Sequence, residues 1–327
     1  MKNEMNATDF LCFLASDAGM KIDKRTYIGS EAVSEAITAM PEIFSHVVFA
    51  ASSHAASYGY NEAGHPVKIY LSEDRIQRIV ILTKIPQTRK IKLTVAYDGT
   101  RFYGFQSQKD ERTVQNELEK AISEMNGEPT RCHGASRTDT GVHAKGQVVD
   151  FETKRSFTEK RWLSSLDKML PKDIRIIDVA FVHPLFHSRF DVWKKEYRYT
   201  LNTGDIDPRF RHTEWPIGPI ADLEALRENL KMLEGTHDFT SFAKGEKDDM
   251  VRTIYEAGTE ETPGHIDIVI IGNGFLHHMI RLIVFQLVEI ANHRIDMSIN
   301  EMIEEHSRRH TVRMAPPNGL CLTKIEY

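Results

Sequence analysis

The sequence predicts an α+β fold: two successive sets of antiparallel strands, each flanked by helices, behind an N-terminal extension of different texture. Three features carry that prediction. Stretches such as 90–97 alternate apolar and polar residues (Ile91, Leu93, Val95, Tyr97), as half-buried strands do. Others, such as 113–127, space Val114, Leu118, Ala121, Ile122 and Met125 at helical intervals. The two kinds of segment do not alternate strictly, and no short repeat is present, so a parallel strand–helix array is not expected.

The first 84 residues hold an Ala/Ser-rich middle and then the run Val67-Lys68-Ile69-Tyr70-Leu71, separated by Gly59, Gly64 and Pro66. A helix over 31–39, ended by Pro41, and strands near Val47 and Ile79 are expected in this extension (1–84), with no chemical motif. Residues 85–89, around Pro86 and Thr88, read as a linker. A first half, 90–195, opens with the strand 90–97 and a turn at Asp98-Gly99. The helix 113–127 takes Thr113 as N-cap and Gly127 as the residue past its end. A strand over 147–152 and a helix over 158–170 follow, the helix presenting Trp162, Leu163, Leu166 and Met169 and stopped by Pro171. Strands are expected at 174–181 and 196–201, the latter opening a second half, 196–327. There, 222–234 forms a helix with Leu223, Leu226, Leu230 and Leu233 on one side. Strands at 253–257, 265–271 and 320–326 and helices over 276–293 and 298–307 complete it.

Composition excludes several classes. At 327 residues, 41% hydrophobic and 27% charged, the chain is an ordinary globular mixture, neither disordered nor collagen-like. No apolar run approaches the roughly 20 residues of a membrane span. The longest, 282–290, is broken by Gln286 and Glu289, and the run 10–15 follows Glu4 and Asp9, which is wrong for a secretory signal. Cys12, Cys132 and Cys321 are scattered and odd in number, against a disulfide framework or zinc-thiolate site and in favour of the reduced cytoplasm. Net charge is −5, but 131–211 carries sixteen Lys and Arg against eleven Asp and Glu, a local +5 that leaves −10 for the remainder. Such polarity suits a basic groove set in an acidic body.

One segment stands apart: Gly134-Ala135-Ser136-Arg137-Thr138-Asp139-Thr140-Gly141-Val142-His143-Ala144. Small residues and flanking glycines describe a tight loop that presents the Asp139 carboxylate. An Asx turn, with Asp139 bonding only nearby backbone N–H groups, would give the same pattern. Arg137, two positions away, is able to keep Asp139 ionised and to hold a phosphate or base. Asp139-Thr140-Gly141 also spells the aspartic-protease tripeptide, but that chemistry needs two such aspartates and the chain has no second Asp-Thr-Gly.

This loop resembles the catalytic signature of the tRNA pseudouridine synthase A (TruA) family. Other blocks resemble that family in order across 90–327: Tyr97-Asp98-Gly99-Thr100, Gly104-Phe105-Gln106, Arg112-Thr113-Val114-Gln115, Phe186-His187-Ser188-Arg189-Phe190 and Lys195-Glu196-Tyr197-Arg198-Tyr199. His237-Asp238-Phe239-Thr240-Ser241-Phe242, Val251-Arg252-Thr253-Ile254, Phe275-Leu276-His277-His278-Met279-Ile280-Arg281, Ala315-Pro316 and Gly319-Leu320 complete the set. The resemblance implies a two-domain pseudouridine synthase fold and an isomerase that converts uridine to pseudouridine at positions 38, 39 and 40 of the tRNA anticodon stem-loop. The uracil N1–C1′ bond must break and C5 must bond to C1′, which requires no metal or nucleotide cofactor; a carboxylate can serve as nucleophile or base. tRNA and a second copy of the chain are the implied partners.

The resemblance also implies roles. Asp139 falls on the essential aspartate, and Arg137 on an arginine expected to help extrude the target base. Tyr197 matches a tyrosine whose ring can stack on the flipped uracil. Arg281 matches a basic residue that pairs with the aspartate, and Leu320 an apolar residue of the pocket. Lys194, Lys195 and Arg198, with Arg209 and Arg211 nearby, would position the RNA backbone, as would Arg189, Arg252 and the Arg308-Arg309 pair. His277 and His278, like His183 with His187 and His306 with His310, lack a His-Glu-x-x-His pattern and favour phosphate contacts or packing over a metal. Three positions depart from the family pattern: Ser136 where Gly is common, Phe285 and Trp193 where smaller residues are usual. The rival reading is a catalytically inactive tRNA-binding protein on the same scaffold. For the extension, a small α/β domain that modulates tRNA choice or oligomerisation is expected, against an inert fusion remnant.

Overall fold

A computed structural model of the chain describes residues 27–28, 51–52, 56–60, 65–72, 75–81, 86–245 and 249–327. The N-terminal strands β1 (Tyr27–Ile28), β2 (Ala51–Ser52), β3 (Ala56–Tyr60), β4 (Pro66–Ser72) and β5 (Arg75–Ile81) form an antiparallel sheet in the order β1-β5-β4-β3-β2. The strand expected near Ile79 falls in β5. The helix expected over 31–39 and the strand near Val47 lie outside the described residues. Ala56 and Tyr58 of β3 pack on Phe186, with Val182 and Tyr327 against them, so this sheet docks on the body that follows.

That body comprises β6 (Arg89–Tyr97), α1 (Val114–Asn126), β7 (His133–Gly134), β8 (His143–Thr153), α2 (Glu159–Met169), β9 (Ile174–Val182) and β10 (Lys194–Asn202). It continues through β11 (Trp215–Pro216), α3 (Leu223–Lys231), β12 (Gly235–Asp238), β13 (Val251–Thr262), β14 (His265–Gly272), α4 (Met279–Ala291), α5 (Ile299–Glu304) and β15 (Leu320–Glu326). Helix ends follow local chemistry. The side chains of Thr113, Thr158, Asp222 and Ser298 accept backbone N–H groups of the first turns of α1, α2, α3 and α5, and Gly127 ends α1 at φ 74°.

The antiparallel sets of the two halves do not stay separate. They join edge to edge in one mixed sheet of order β12-β13-β14-β10-β15-β8-β6-β9, with β7 beside β8 and β11 beside β10. The seam is a short parallel contact of β15 with β8, pairing Cys321 with His143 and Leu322 with Ala144. One hydrophobic core therefore runs from Ile91, Leu93 and Trp162 through Tyr199 to Ile268 and Leu287. Joining leaves fewer exposed strand edges than two separate sheets would.

Several elements differ in extent from expectation: β8 starts at His143 rather than 147, α5 ends at Glu304 rather than 307, and two others differ for a local reason. β13 runs twelve residues rather than five, because its solvent-facing Glu256, Glu260 and Glu261 hide the alternation. α4 begins at Met279 rather than 276, because His278 adopts a left-handed φ of 65° just before it.

Candidate active site

The loop between β7 and β8 sits at the seam and is shaped from beneath. Phe105 N donates to Thr138 O at 3.0 Å, Gly141 N to Phe102 O at 3.3 Å, and Val142 N to Asp139 O at 3.1 Å. Gly104 has φ +82°, and a Cβ there would lie 2.8 Å from the Thr138 carbonyl, so only glycine lets the two backbones meet. Two buried side chains on strands brace the loop. Gln147 on β8 exchanges hydrogen bonds with the Ser136 backbone (Oε1 from N at 3.2 Å, Nε2 to O at 2.8 Å). The Tyr97 hydroxyl on β6 lies 2.7 Å from Thr138 Oγ1. Gln147 belongs to no motif, and Tyr97 is marked in the sequence only as a strand residue opening the Tyr97-Asp98-Gly99-Thr100 block; the folded register is what aims both at the loop.

Asp139 ends up partly open to solvent, its side chain 16% exposed, under three nitrogen-bearing groups from α4 and the turn before it. Arg281 Nη1 lies 3.4 Å from Oδ2, while its Nε donates to the Ala315 carbonyl at 2.8 Å. His278 Nε2 is 3.5 Å from Oδ2 and His277 Nε2 is 3.7 Å from Oδ1. The left-handed backbone at His278 turns the two successive rings to the same side, 3.9 Å apart. Burial, together with His277, Arg281 and Lys244, outweighs Asp139 and holds His278 below the usual imidazole range. That direction favours the neutral imidazole, which weakens any ionic contribution to its contact with Asp139. Asp139, His277 and His278 are the one trio among the described residues whose donor atoms could meet on a cation. Arg281 already brings a positive charge to the same carboxylate oxygen.

The carboxylate opens on a cavity of about 620 Å³, lined by Arg137, Arg189, Lys195, Tyr197, Phe275 and Leu320 among others. Its volume is that of a small-molecule or nucleotide site. Tyr197 on β10 is nearly buried, its hydroxyl 2.8 Å from Ser136 Oγ and its ring edge-on to Phe275 at 5.2 Å. Burial and the Asp139 charge push its phenol well above the ordinary tyrosine range, so it is a neutral hydrogen-bonding ring and not a base. Lys195, two residues back on the same strand face, donates to the Ala135 carbonyl at 2.7 Å. Burial, with Arg189 and Arg252 close by, pulls its ammonium down to about 8. Partial burial and the Arg137 charge act on Arg189 in the same direction. Leu320, at the start of β15, supplies an apolar wall.

A family model described as tRNA pseudouridine synthase matches residues 93–191 and 230–327, which hold Asp139, Arg281 and Leu320, while Lys195 and Tyr197 lie between the two matched blocks. The tRNA pseudouridine synthase A of Geobacillus sp. (strain WCH70) is 41% identical over 249 residues, covering 73% of this chain and 99% of that protein. That of Anoxybacillus flavithermus (strain DSM 21510 / WK1) is 41% identical over 243 residues, with the same coverage. The chain belongs to the tRNA pseudouridine synthase family. The tRNA pseudouridine synthase A 1 of Bacillus cereus (strain ATCC 14579) agrees, at 42% over 245 residues, 73% of this chain and 98% of that protein.

Not every residue that family resemblance singles out lies at the cavity. Strand alternation sends Lys194 and Arg198 to the sheet face opposite Lys195 and Tyr197. There Lys194 pairs with Glu326 at 3.2 Å, and Arg198 grips Glu260 (2.6 Å) and Asp267 (2.8 Å). Arg252 stands outside the lining and pairs with Asp249 at 3.4 Å. Arg209 is tied to Asp207, and Arg211 borders a second cavity with Arg101, Lys172 and His212. The three departures from the family pattern find partners: Ser136 bonds Tyr197, Phe285 stacks on Trp215 at 6.1 Å, and Trp193 packs on Tyr255 at 6.3 Å.

Proposed function

We propose that this chain isomerises uridine to pseudouridine in the tRNA anticodon stem-loop, at positions 38, 39 and 40, with Asp139 as nucleophile or base. The observation that carries the reading is the meeting of Asp139, Arg281, Tyr197 and Leu320 around one nucleotide-sized cavity, from segments as far apart in sequence as residues 139 and 320. In the overall change the N1–C1′ bond breaks, C5 bonds to C1′, the C5 hydrogen leaves as a proton and N1 gains one; nothing is oxidised. A target base stacked in RNA must first be extruded, a step suited to the exposed Arg137. The neutral Tyr197 ring and Leu320 then offer the uracil an aromatic and an apolar contact. Arg281 steadies the carboxylate opposite the nucleoside. His277, His278, Arg189 and Lys195 are read as phosphate and backbone contacts, and Lys194, Arg198 and Arg252 as weaker, outer contributions to the RNA field.

A homodimer with tRNA bridging its subunits accounts for RNA binding by a net-acidic chain, since a groove concentrates positive potential while distal surfaces stay acidic. Residues 90–195 and 196–327 are read as the two catalytic halves, 85–89 as a linker and 1–84 as an appendage. The cytoplasm is the assigned compartment; among the described residues no helix is long and apolar enough to cross a membrane.

The test is tritium release from tRNA carrying [5-³H]uridine. The wild-type chain releases tritium and Asp139→Ala does not. Tight tRNA binding without release by the wild type would favour the inactive-binder reading.

A further inference from the structure

The loop between β9 and β10 brings Arg189 to the cavity rim, and it is pinned from two sides. The catalytic body holds one side. Asp150 Oδ1 accepts from Ser188 N at 2.7 Å, and the Ser188 hydroxyl donates to His133 O at 2.7 Å. Lys90 Nζ donates to Phe186 O at 3.0 Å and Tyr327 OH to Ser188 O at 2.7 Å. The N-terminal sheet holds the other side through Asp191. That carboxylate accepts from the His187 backbone N–H at 2.7 Å, the Tyr58 hydroxyl at 2.5 Å and the Lys68 ammonium. Lys68 also donates to the Leu185 carbonyl at 3.3 Å. The Tyr58 ring lies 5.3 Å from that of His183 and 6.5 Å from that of Phe186.

Lys68 and Asp191 are sealed from solvent, at 1% and 0% exposure. A buried ion pair is a poor source of net stability compared with an apolar pair of similar size; what it can supply is one fixed arrangement. The arrangement fixed here is a loop of the catalytic body. The family match opens at residue 93, so Lys68 and Tyr58 lie outside it, while its first block ends on their partner Asp191.

We propose that the N-terminal sheet is a positioning element of the active site: Lys68 and Tyr58, acting through Asp191, hold the 186–191 loop so that Arg189 faces bound RNA. This rests on the reading of the cavity as a tRNA site. Neither residue touches the reacting atoms, so both act on binding rather than on the chemical step.

The experiment uses the full chain and a tRNA transcript with uridines in its anticodon stem-loop, reading Kd by filter binding and KM and kcat by tritium release. Lys68→Met raises Kd and KM about fivefold and leaves kcat within about twofold, the size of effect that a packed network transmits. Arg189→Ala, which removes the RNA-facing cation itself, raises Kd and KM at least as much. In the Arg189→Ala background, Lys68→Met adds less than about twofold, because both changes act on one contact. Tyr58→Phe keeps the ion pair, shifts Kd less in the same direction, and serves if Lys68→Met does not fold. Unchanged Kd and KM in the folded variants overturns the proposal, and so does an equal penalty with and without Arg189. A wild type that binds tRNA without isomerising it refutes the function, while the Kd comparison still decides the role of Lys68 and Tyr58.

Discussion

Arg281 meets Asp139 with one nitrogen while another is committed to the backbone: Nη1 lies 3.4 Å from Oδ2, and Nε donates 2.8 Å to the Ala315 carbonyl. Ala315 N in turn donates to the Arg281 carbonyl at 2.9 Å, so the guanidinium is anchored to the segment that leads into β15. The fork of arginine can serve both partners at once; a lysine ammonium is a point charge that serves one well. Arg281→Lys is therefore expected to keep the fold and lower kcat/KM for tRNA by about 10- to 100-fold. Steady-state tritium release, with melting temperature as the folding control, checks it.

The Ser136–Tyr197 hydrogen bond gives a second prediction. Ser136→Ala and Tyr197→Phe each remove it, at a net cost of about 1 kcal/mol, or roughly fivefold in rate if the bond persists in the transition state. Since both changes delete one bond, the double variant is expected to be no slower than the slower single. Tyr197→Leu, which also removes the ring, is expected to be slower than Tyr197→Phe. Single-turnover rates on saturating enzyme measure all four.

Much of this arrangement is readable in the sequence, because the signals are local. Thr113 and Gly127 bracket α1, Pro171 stops the chain after α2, and the alternation of 90–97 marks β6. The site loop is likewise readable, since small residues and glycines around one aspartate form a local pattern. The seam is not readable: Cys321 and Leu322 meet His143 and Ala144 by two backbone pairings across nearly the whole body, and backbone edges leave no side-chain signature. The bracing roles of Gln147 and Tyr97 are hidden for the same reason, as both are inward strand residues whose target lies on another segment. Arg198 carries the opposite lesson. Adjacent to Tyr197 on a strand, it must point to the other face, and period-2 geometry alone separates it from the cavity.

Lys195 sets a pH dependence. Burial, with Arg189 and Arg252 close by, lowers its ammonium to about 8, below the ordinary lysine value. As pH rises through about 8 the cation facing the cavity is lost, and KM for tRNA is expected to climb. Lys195→Arg, which stays charged, is expected to flatten that rise. The stability sign is opposite: above about 8 the unfolded chain holds the proton more tightly than the fold, so this group adds stability as pH climbs towards the free-lysine value. KM profiles between pH 6.5 and 9.5 for both proteins decide the binding half.

Asp150 is the structural counterpart. Burial pushes its carboxyl up, but the His133 hydrogen bond, Lys90 and the Ser188 N–H outweigh it and bring it down to about 2. A depressed carboxyl contributes stability that is complete above the ordinary aspartate value and disappears as pH falls through about 2. Asp150→Ala takes from the largely buried Lys90 its partner at 3.4 Å, leaving it Glu152 at 3.8 Å and the Phe186 carbonyl, and strips the Ser188 N–H of its acceptor; it is expected to destabilise the fold by about 2 kcal/mol at pH 7. Urea denaturation at pH 7 and pH 3 measures it, with a smaller difference between the two proteins at the lower pH.

The chemistry assigned to the site depends most on the charge of one carboxylate. Asp139→Asn keeps the shape and the loop while removing the anion. Its single-turnover rate of pseudouridine formation is expected to fall at least about 10³-fold, with Kd for the same tRNA within about threefold of wild type. A variant that retains more than about a tenth of the wild-type rate, at saturating enzyme and with its fold intact, contradicts the assignment of Asp139.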